Sequence, residues 1–446
     1  MNPERIHILN QVPERKGCYV LYRMQFSPRI NMNLALIEAI RTANRQKLPL
    51  VVLYCLDPYY PEANFRHFRF LTEGFPELAS NLEKRGIVFR LLSGNPEEVI
   101  PPFLEEAFCL ITDKGYMSRH RRERGWLQSV CGCRIIEVED NLIVPVDCAS
   151  SHAEWAARTL RPKIMEKMKW FVSDAEEELP LLEWKTPVDP DICVSNEKTC
   201  CDFLHRVHQS AFLSAAPFSG GESAARAHLR SFVVNKLETY PMRHSDPASG
   251  ASSRLSPYLH FGMISPLTVW RTVRDLPGAA PFIEQLLVRR ELAFNYCNYN
   301  SGYDRYETLP LWARNTLAHH RTDPRPYLYD EETLENGATH DVCWNAAMNE
   351  MRETGFMENT MRMYWGKKIM EWTESPEEAF YLLLKLNNRY FLDGRDPNSY
   401  AGAGWCFGLH DRPWKERAVF GTVRYMNEAG LRRKYDMDTY IRRFSE

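Results

Sequence analysis

The sequence lacks the marks of several large protein classes. No apolar run reaches the roughly 18 residues that a membrane-spanning helix needs. The first 17 residues carry Glu4, Arg5, Glu14, Arg15 and Lys16, where a secretory signal would have an apolar core. Internal repeats and low-complexity tracts are also missing. These absences predict a globular protein of the cytoplasm that does not bind membranes.

Metal-binding and disulfide patterns are equally scarce. The chain has 12 cysteines, but none of them form a CxxC pair. Cys131 and Cys133 form a CxC, Cys200 and Cys201 are adjacent, and no HExxH motif accompanies them. Zinc sites need other spacings. We therefore expect reduced thiols and no metal.

Phosphate-binding motifs and a strong net charge are missing too. The first predicted strand is not followed by GxGxxG, and there is no Walker A sequence, so ordinary dinucleotide binding at that point is not expected. The net charge of -2 excludes a uniformly basic nucleic-acid surface. A local basic face remains open, because residues 412–434 interleave arginines and lysines with Trp414 and Tyr425.

With 446 residues the chain is long enough for two domains. Residues 18–140 alternate short β-rich runs with amphipathic stretches, which predicts a doubly wound, mostly parallel α/β domain over residues 1–145. Residues 146–222 are rich in proline and glycine and predict a connector. Helical periodicity dominates afterwards and predicts an all-α domain over residues 223–446. The predicted strands are residues 18–23, 50–56, 87–92, 108–112 and 133–138.

Three segments carry candidate chemistry. The stretch SSRLSPYLHFG (residues 252–262) offers hydroxyls and backbone N–H groups to an anion such as a diphosphate, or it is simply a capped helix start. Trp365 and Trp372 are seven residues apart, on one helix face, and Trp344 on the preceding helix could complete a redox chain or a packed core. Residues 386–414 are rich in Asn, Asp, Arg and Gly, which suits either a buried polar ligand or a structured loop.

Taken together, these segments resemble the photolyase/cryptochrome flavoproteins, and among them the class II cyclobutane pyrimidine dimer DNA photolyases. RLSPYLHFG is similar to the flavin-diphosphate loop of that family. The motifs that resemble class II are EWAARTLRPK, RRELAFNYC, THDVCWNA, RMYWGKKIMEW, LDGRDPNSYAG, WCFGLHDRPWKER and VRYM. They occur in both predicted domains and are densest in the helical one.

The resemblance implies FAD in the helical domain. The residues that would hold it are Tyr240, Ser252, Ser253, Leu255, Ser256, Gln285, Arg362, Asn387 and Asp393. Arg362 and Asp393 would form a salt bridge beside the flavin ring, and Asn387 would face flavin N5. Trp365, Trp344 and Trp372 would carry electrons between the flavin and the surface. The first domain would hold a second, antenna chromophore of the deazaflavin or folate type, whose identity the sequence leaves open.

The resemblance also implies a DNA partner that carries a flipped pyrimidine dimer. The residues on the DNA side of the site would be Arg289, Met363, Trp405, Asp411, Trp414 and Arg424, with Trp405 packing against the dimer bases. We expect a monomer that acts at the nucleoid, or in the nucleus of a eukaryote.

Two positions differ from the family pattern. Gln285 stands where a glutamate touches both flavin and dimer, and Glu358-Asn359 stands where a His-Gly pair is expected. Gln285 keeps a hydrogen-bond donor but cannot ionise. The predicted function is light-dependent repair of cyclobutane pyrimidine dimers by electron transfer from excited reduced FAD. The alternative is a cryptochrome-like blue-light receptor without repair activity.

Overall fold

The computed structural model describes residues 1–172, 179–181, 191–208 and 216–445. The chain forms two compact units, and neither is continuous in sequence. The first unit consists of Met1–Ala149, Lys163–Arg230 and Leu255–Thr272; the second consists of Ser150–Pro162, Ser231–Arg254 and Val273–Glu446. The predicted domains, by contrast, are single continuous stretches.

The first unit is built on a six-stranded sheet. Its strand order is β1-β6-β5-β2-β3-β4, with β1 antiparallel to β6 and all other pairs parallel. All six residues of β2 are buried, as expected for a parallel strand covered on both faces. The predicted doubly wound α/β architecture is therefore confirmed. The strands are β1 Ile6–Ile8, β2 Tyr19–Met24, β3 Leu50–Leu56, β4 Val88–Ser93, β5 Ala107–Asp113 and β6 Arg134–Val138.

Helices surround this sheet. Asn33 caps α1 by accepting from the backbone N–H of Leu36 at 2.8 Å. The helices of this unit are α1 Leu34–Gln46, α2 Phe65–Thr72, α3 Phe75–Glu83, α4 Pro96–Val99, α5 Pro101–Glu105, α6 Ser118–Val130, α7 Val146–Ala149, α9 Asp191–His208 and α12 Ser256–His260. Three others pass from one unit into the other: α8 Ala157–Lys167, α10 Glu222–Asn235 and α13 Pro266–Val273.

The described part of the second unit is helical and contains no β-strand, so the predicted all-α character is confirmed. Its helices are α11 Tyr240–Arg243, α14 Ala279–Ile283, α15 Arg290–Tyr299, α16 Leu311–His319, α17 Glu331–Glu335, α18 Val342–Thr354, α19 Asn359–Trp372, α20 Pro376–Tyr390, α21 Pro397–Cys406, α22 Glu428–Lys434 and α23 Met437–Arg443. A π-helix over Glu284–Arg289 joins α14 to α15. In the described ranges, no helix is long and apolar enough to cross a bilayer.

Close packing of α19 against α21 positions the candidate site. A Cβ on Gly366 would come within 2.6 Å of the Cys406 sulfur and 2.7 Å of a Leu383 methyl carbon. Any larger residue at this position would force these side chains to shift, because real Cβ atoms do not come closer than about 3 Å. This contact holds the middle of α19 next to the end of α21, which carries Trp405.

Candidate active site

An ion pair between α19 and the turn after α20 anchors the site. Arg362 donates to both carboxylate oxygens of Asp393, at 3.1 and 3.3 Å. The guanidinium also lies 3.8 Å from the centre of the Phe391 ring. Both side chains of the pair are mostly buried, where a charge-assisted bond is stronger than at the surface. The expected pairing of Arg362 with Asp393 is thus present in the structure.

Asn387 lies on α20 and is buried. Its side-chain amide donates to the Asn388 side-chain oxygen at 3.1 Å, and that oxygen also accepts from the Arg395 backbone N–H at 2.9 Å. The turn closes tightly, since a Cβ on Gly394 would lie 3.0 Å from the Asn387 carbonyl oxygen. This network fixes the orientation of the Asn387 side chain.

Three tryptophans form a continuous buried group. The Trp344 indole N–H donates to the Trp365 carbonyl oxygen at 3.0 Å, and the Trp344 and Trp372 rings lie 5.5 Å apart, centre to centre. Trp365 meets the same Phe391 ring that stacks on Arg362, at 6.2 Å. The indole N–H of Trp365 is buried and has no hydrogen-bond partner among the described residues.

The predicted electron path requires Trp372 to lie at the surface, but the structure buries it. Its side chain is only 2% exposed. The rings of Tyr329 and His340 pack on it at 5.5 and 5.3 Å, and Tyr327, which is 46% exposed, stacks on His340 at 3.6 Å. The last tryptophan is therefore separated from solvent by a layer of aromatic side chains, which the spacing of tryptophans could not indicate.

The hydroxyl of Ser252, a predicted phosphate ligand, donates a hydrogen bond to the Glu358 carboxyl at 2.9 Å. Glu358 is buried, and burial raises the pKa of its carboxyl while Ser252 and Arg254 lower it. Glu350 is close enough to interact with Glu358, and it accepts a hydrogen bond from Tyr440 at 2.6 Å. Burial raises the pKa of Glu350 to about 7. Glu358, which stands where a histidine was expected, is thus held by Ser252 and lies near a second buried acid, Glu350.

The high pKa of Glu350 has a measurable consequence. A carboxyl with a higher pKa in the folded than in the unfolded protein stabilises the fold at acidic pH, and this contribution is lost as the pH rises through the folded pKa. We expect the unfolding free energy of the wild type, relative to Glu350→Gln, to fall by about 1–3 kcal/mol between pH 5 and pH 8. Urea unfolding of both proteins across this range measures the difference; parallel profiles would contradict the assignment.

The remaining predicted phosphate-side residues are distributed over both compact units. Tyr240 begins α11 and is buried, and the His244 ring stacks on it at 4.7 Å. Ser253 follows Ser252 and is half-buried. Leu255 and Ser256 belong to the first compact unit, so the SSRLSP stretch crosses from one unit to the other immediately after Arg254.

Gln285 lies within the π-helix over Glu284–Arg289. Its side chain is exposed and forms no hydrogen bond to any described residue. A π-helix inserts one extra residue into a turn, and such insertions are common at functional sites. The neighbouring Glu284 is engaged elsewhere, by Arg161 at 2.6 and 3.0 Å and by Arg289 at 3.5 Å. The insertion changes the helix face on which Gln285 stands.

A cavity of about 390 Å³ opens beside α19 and α21. Four predicted DNA-side residues line it together: Met363, Trp405, Asp411 and Arg424. The Arg289 guanidinium lies 5.9 Å from the Trp405 ring. Trp414 stands next to this group, because its indole N–H donates to Asp411 at 3.2 Å and Arg424 stacks on its ring at 5.1 Å. All six predicted DNA-side residues are therefore neighbours.

Sequence reasoning missed some residues of this cavity. Lys367, one turn after Met363 on α19, lines it, as do Arg433 and Lys434 at the end of α22. The two α22 residues were noted only as part of a basic segment. Lys367 could have been inferred from its i+4 spacing to Met363, which places both on one face of a helix.

Comparison with known proteins gives a consistent result. A sequence model of the DNA photolyase family matches residues 20–181. A deoxyribodipyrimidine photo-lyase from Methanothermobacter thermautotrophicus is 42% identical, covering 99% of this chain and 98% of that protein. The enzyme of the same name from Potorous tridactylus is 36% identical, covering 100% of this chain and 85% of that protein.

Solved structures show the same fold. A bacterial class III photolyase from Agrobacterium tumefaciens has a TM-score of 0.71 at 20% identity, covering 97% of this chain and 87% of its own. An archaeal photolyase from Sulfolobus tokodaii, crystallised with two FAD molecules, also has a TM-score of 0.71 at 17% identity, with 96% and 90% covered. Given the full-length similarity to curated photo-lyases, this chain belongs to the DNA photolyase family.

Proposed function

We propose that this protein is a deoxyribodipyrimidine photo-lyase of the class II type, which uses FAD and light to split cyclobutane pyrimidine dimers in DNA. Family membership supports the repair reaction and its cofactor. The observation that carries the proposal is the cavity in which Trp405, Met363 and Arg424 meet. No feature of the structure or the comparisons favours the receptor alternative.

The second unit has groups that fit FAD. The Arg362–Asp393 pair and the oriented amide of Asn387 offer the charged and polar partners that an isoalloxazine ring requires, whereas the Ser252 hydroxyl already donates to Glu358. The buried, unpartnered Trp365 N–H adds a donor close to Phe391 and Arg362. When bound, reduced and excited by light, FAD supplies one electron to the lesion.

The side chains of the cavity would position the lesion. Trp405 and Met363 provide flat and flexible apolar surfaces for two joined pyrimidines, and Arg424 provides a positive charge at the same cavity. Photolyases are among the enzymes known to act on a nucleotide taken out of the stack. Because a damaged pair stacks poorly, its extrusion costs only a few kcal/mol, which favours the lesion over normal DNA.

The test is illumination of the reduced protein with a thymine-dimer oligonucleotide, followed by quantification of restored thymines. We expect dimers to disappear only in the light and only with reduced flavin. Intact dimers alongside a normal flavin spectrum and normal photoreduction would support the receptor alternative instead.

We also propose that the first unit holds the antenna chromophore. The strand order reverses between β2 and β5, and the carboxyl ends of strands at such a switch point form the usual ligand site of open α/β sheets. Near this edge Asp113 accepts from the backbone N–H groups of Gln25 and Phe26 at 2.9 and 2.7 Å. Phe26 packs on His120 at 4.4 Å. An absorption band in addition to those of the flavin, after reconstitution with a deazaflavin or a folate, would identify the chromophore.

The end of α22 offers a matched test of DNA contact. Arg432 is engaged by Glu428 and Asp438 at 2.7 and 2.6 Å, whereas Arg433 lines the cavity and has no carboxylate partner in the described ranges. Each phosphate neutralised by a protein cation contributes about -0.9 to the slope of log K against log salt. We expect Arg433→Ala to make the slope for lesion DNA shallower by about 0.9, and Arg432→Ala to leave it unchanged. Equal slopes for all three proteins would place the phosphate contact elsewhere.

A further inference from the structure

Lys367 is a buried cation on the wall of the cavity. It stands on α19, its residue surface is only 3% exposed, and it lines the cavity beside Trp405. Its ammonium donates a hydrogen bond to the carbonyl oxygen of Cys406, the last residue of α21. A lysine commonly interacts with the free carbonyl groups at a helix end in this way. The bond fixes where the positive charge lies.

The charge of Lys367 is not balanced by any residue that the structure describes. Among the described residues no carboxylate pairs with it, whereas its neighbour Lys368 pairs with Glu371 at 2.7 Å. Burial lowers the pKa of Lys367 to about 8, with Asp411 opposing and Arg424 reinforcing the shift. An unpaired ammonium out of water is costly, and an anionic ligand removes that cost.

The rest of the cavity has the same bias. Its lining contains the additional cations Arg424, Arg433 and Lys434, and Asp411 as its acid. Asp411 is already occupied, since it accepts from the Trp414 indole and from the backbone N–H of Arg412. The aromatic rings on the lining belong to Trp405, Tyr425 and Tyr435. A positive cavity with stacking surfaces suits a nucleotide that carries its phosphate inside.

We propose that the Lys367 ammonium binds the phosphodiester that joins the two nucleotides of the pyrimidine dimer. The contact would position the lesion relative to Trp405, because the same ammonium also binds the end of α21, which carries this tryptophan. The proposal rests on the repair function proposed above, and adds to it a residue that reads the charge of the backbone within the lesion.

The test compares two dinucleotide probes: a thymine dimer with its natural phosphodiester, and the same dimer with an uncharged methylphosphonate linkage. We expect the wild type to bind the charged probe at least tenfold more tightly, as for a charge-assisted hydrogen bond. Lys367→Met should bind both probes equally, and Lys367→Arg should keep the preference. Lys368→Met is the matched control and should behave as the wild type.

The outcomes separate the possible roles. If Lys367→Met weakens binding of both probes equally, the residue only supports α21 and the proposal is overturned; melting curves of the same variants report that support. If Lys367→Met retains the preference, another cation binds the phosphate. If the wild type binds neither dimer in preference to undamaged dinucleotide, the proposed function itself fails.

A pH series adds a readout that a structural role would not change. The wild-type preference for the charged probe should decline above pH 8 as Lys367 loses its proton, whereas Lys367→Arg should keep it, because a guanidinium stays protonated. The two proteins differ only at position 367, so the other groups around it cannot cause a difference between their pH profiles. These groups are Asp411, Tyr425, Lys434, Tyr435, Cys406, Arg424 and Arg433. A preference that declines identically in both proteins would overturn the proposal.

Discussion

Replacing Trp365 with phenylalanine should slow photoreduction of oxidised FAD by at least tenfold while leaving repair by pre-reduced protein nearly unchanged. Trp365 is the tryptophan that shares the Phe391 ring with the Arg362–Asp393 pair, so it is the expected first electron donor. Phenylalanine fills similar space but is far harder to oxidise. A barrier increase of 1.36 kcal/mol is already tenfold in rate, so the loss of the donor should exceed any packing effect.

The measurement is the rate of flavin bleaching under blue light with an external thiol. Trp270→Phe is the control, because Trp270 is a mostly buried tryptophan of the first unit. Trp344→Phe and Trp372→Phe should also slow photoreduction, since their rings continue the contact from Trp365. If the three variants reduce flavin as fast as the control, the tryptophans are only core packing.

Converting Gln285 to glutamate should raise the repair quantum yield, by up to about tenfold. The Gln285 side chain is exposed in the structure, and a bound dimer would cover it. Electron transfer makes the dimer a radical anion, and a donor covered in this way counts for more than one in solvent. The amide of Gln285 offers only neutral N–H donors. A carboxyl group kept protonated by its surroundings would donate a stronger hydrogen bond to the same carbonyl oxygen. Improving one bond by 1.36 kcal/mol suffices for the tenfold effect.

The pH dependence shows whether the new group stays protonated. The yield of Gln285→Glu should exceed that of the wild type at low pH and decline as the pH rises, because an ionised carboxylate repels the radical anion. Gln285→Leu is the companion variant; it removes the donor and should repair less than the wild type. A Gln285→Glu yield at or below that of the Leu variant at every pH would show that position 285 does not face the dimer.

The strands of the first unit were largely predictable because apolar runs of five to seven residues identify buried parallel strands. Leu50–Leu56 was predicted at its observed limits. β1, Ile6–Ile8, was missed because three residues give no pattern. The amphipathic stretch over residues 65–85 forms two helices rather than one, since the chain is interrupted at Gly74 and restarts with Pro76 in the first turn of α3. Likewise Pro101 begins α5, so that the stretch between β4 and β5 is divided into α4 and α5.

The candidate site was predictable only as far as residues could be matched to motifs. Arg362 and Asp393 are 31 positions apart, and their pairing followed from the family resemblance rather than from any local rule. The bond from Ser252 to Glu358 spans 106 positions and depends on how the chain folds back. Lys367 looked like one of many helical lysines, because a missing counter-ion is visible only in three dimensions. The π-helix at Gln285 likewise leaves no clear trace in helical periodicity.

Segments of the two units alternate along the sequence, and this order has a consequence for biosynthesis. All six strands have been translated once Val138 is added, yet the first unit also needs Lys163–Arg230 and Leu255–Thr272. At about 5–20 residues per second, these last pieces follow on the order of ten seconds later. During this time part of the apolar surface of the nascent sheet is uncovered. Chaperones bind chains in this state. A gene fragment that ends at Ala149 should for the same reason yield an aggregation-prone product rather than a separable module.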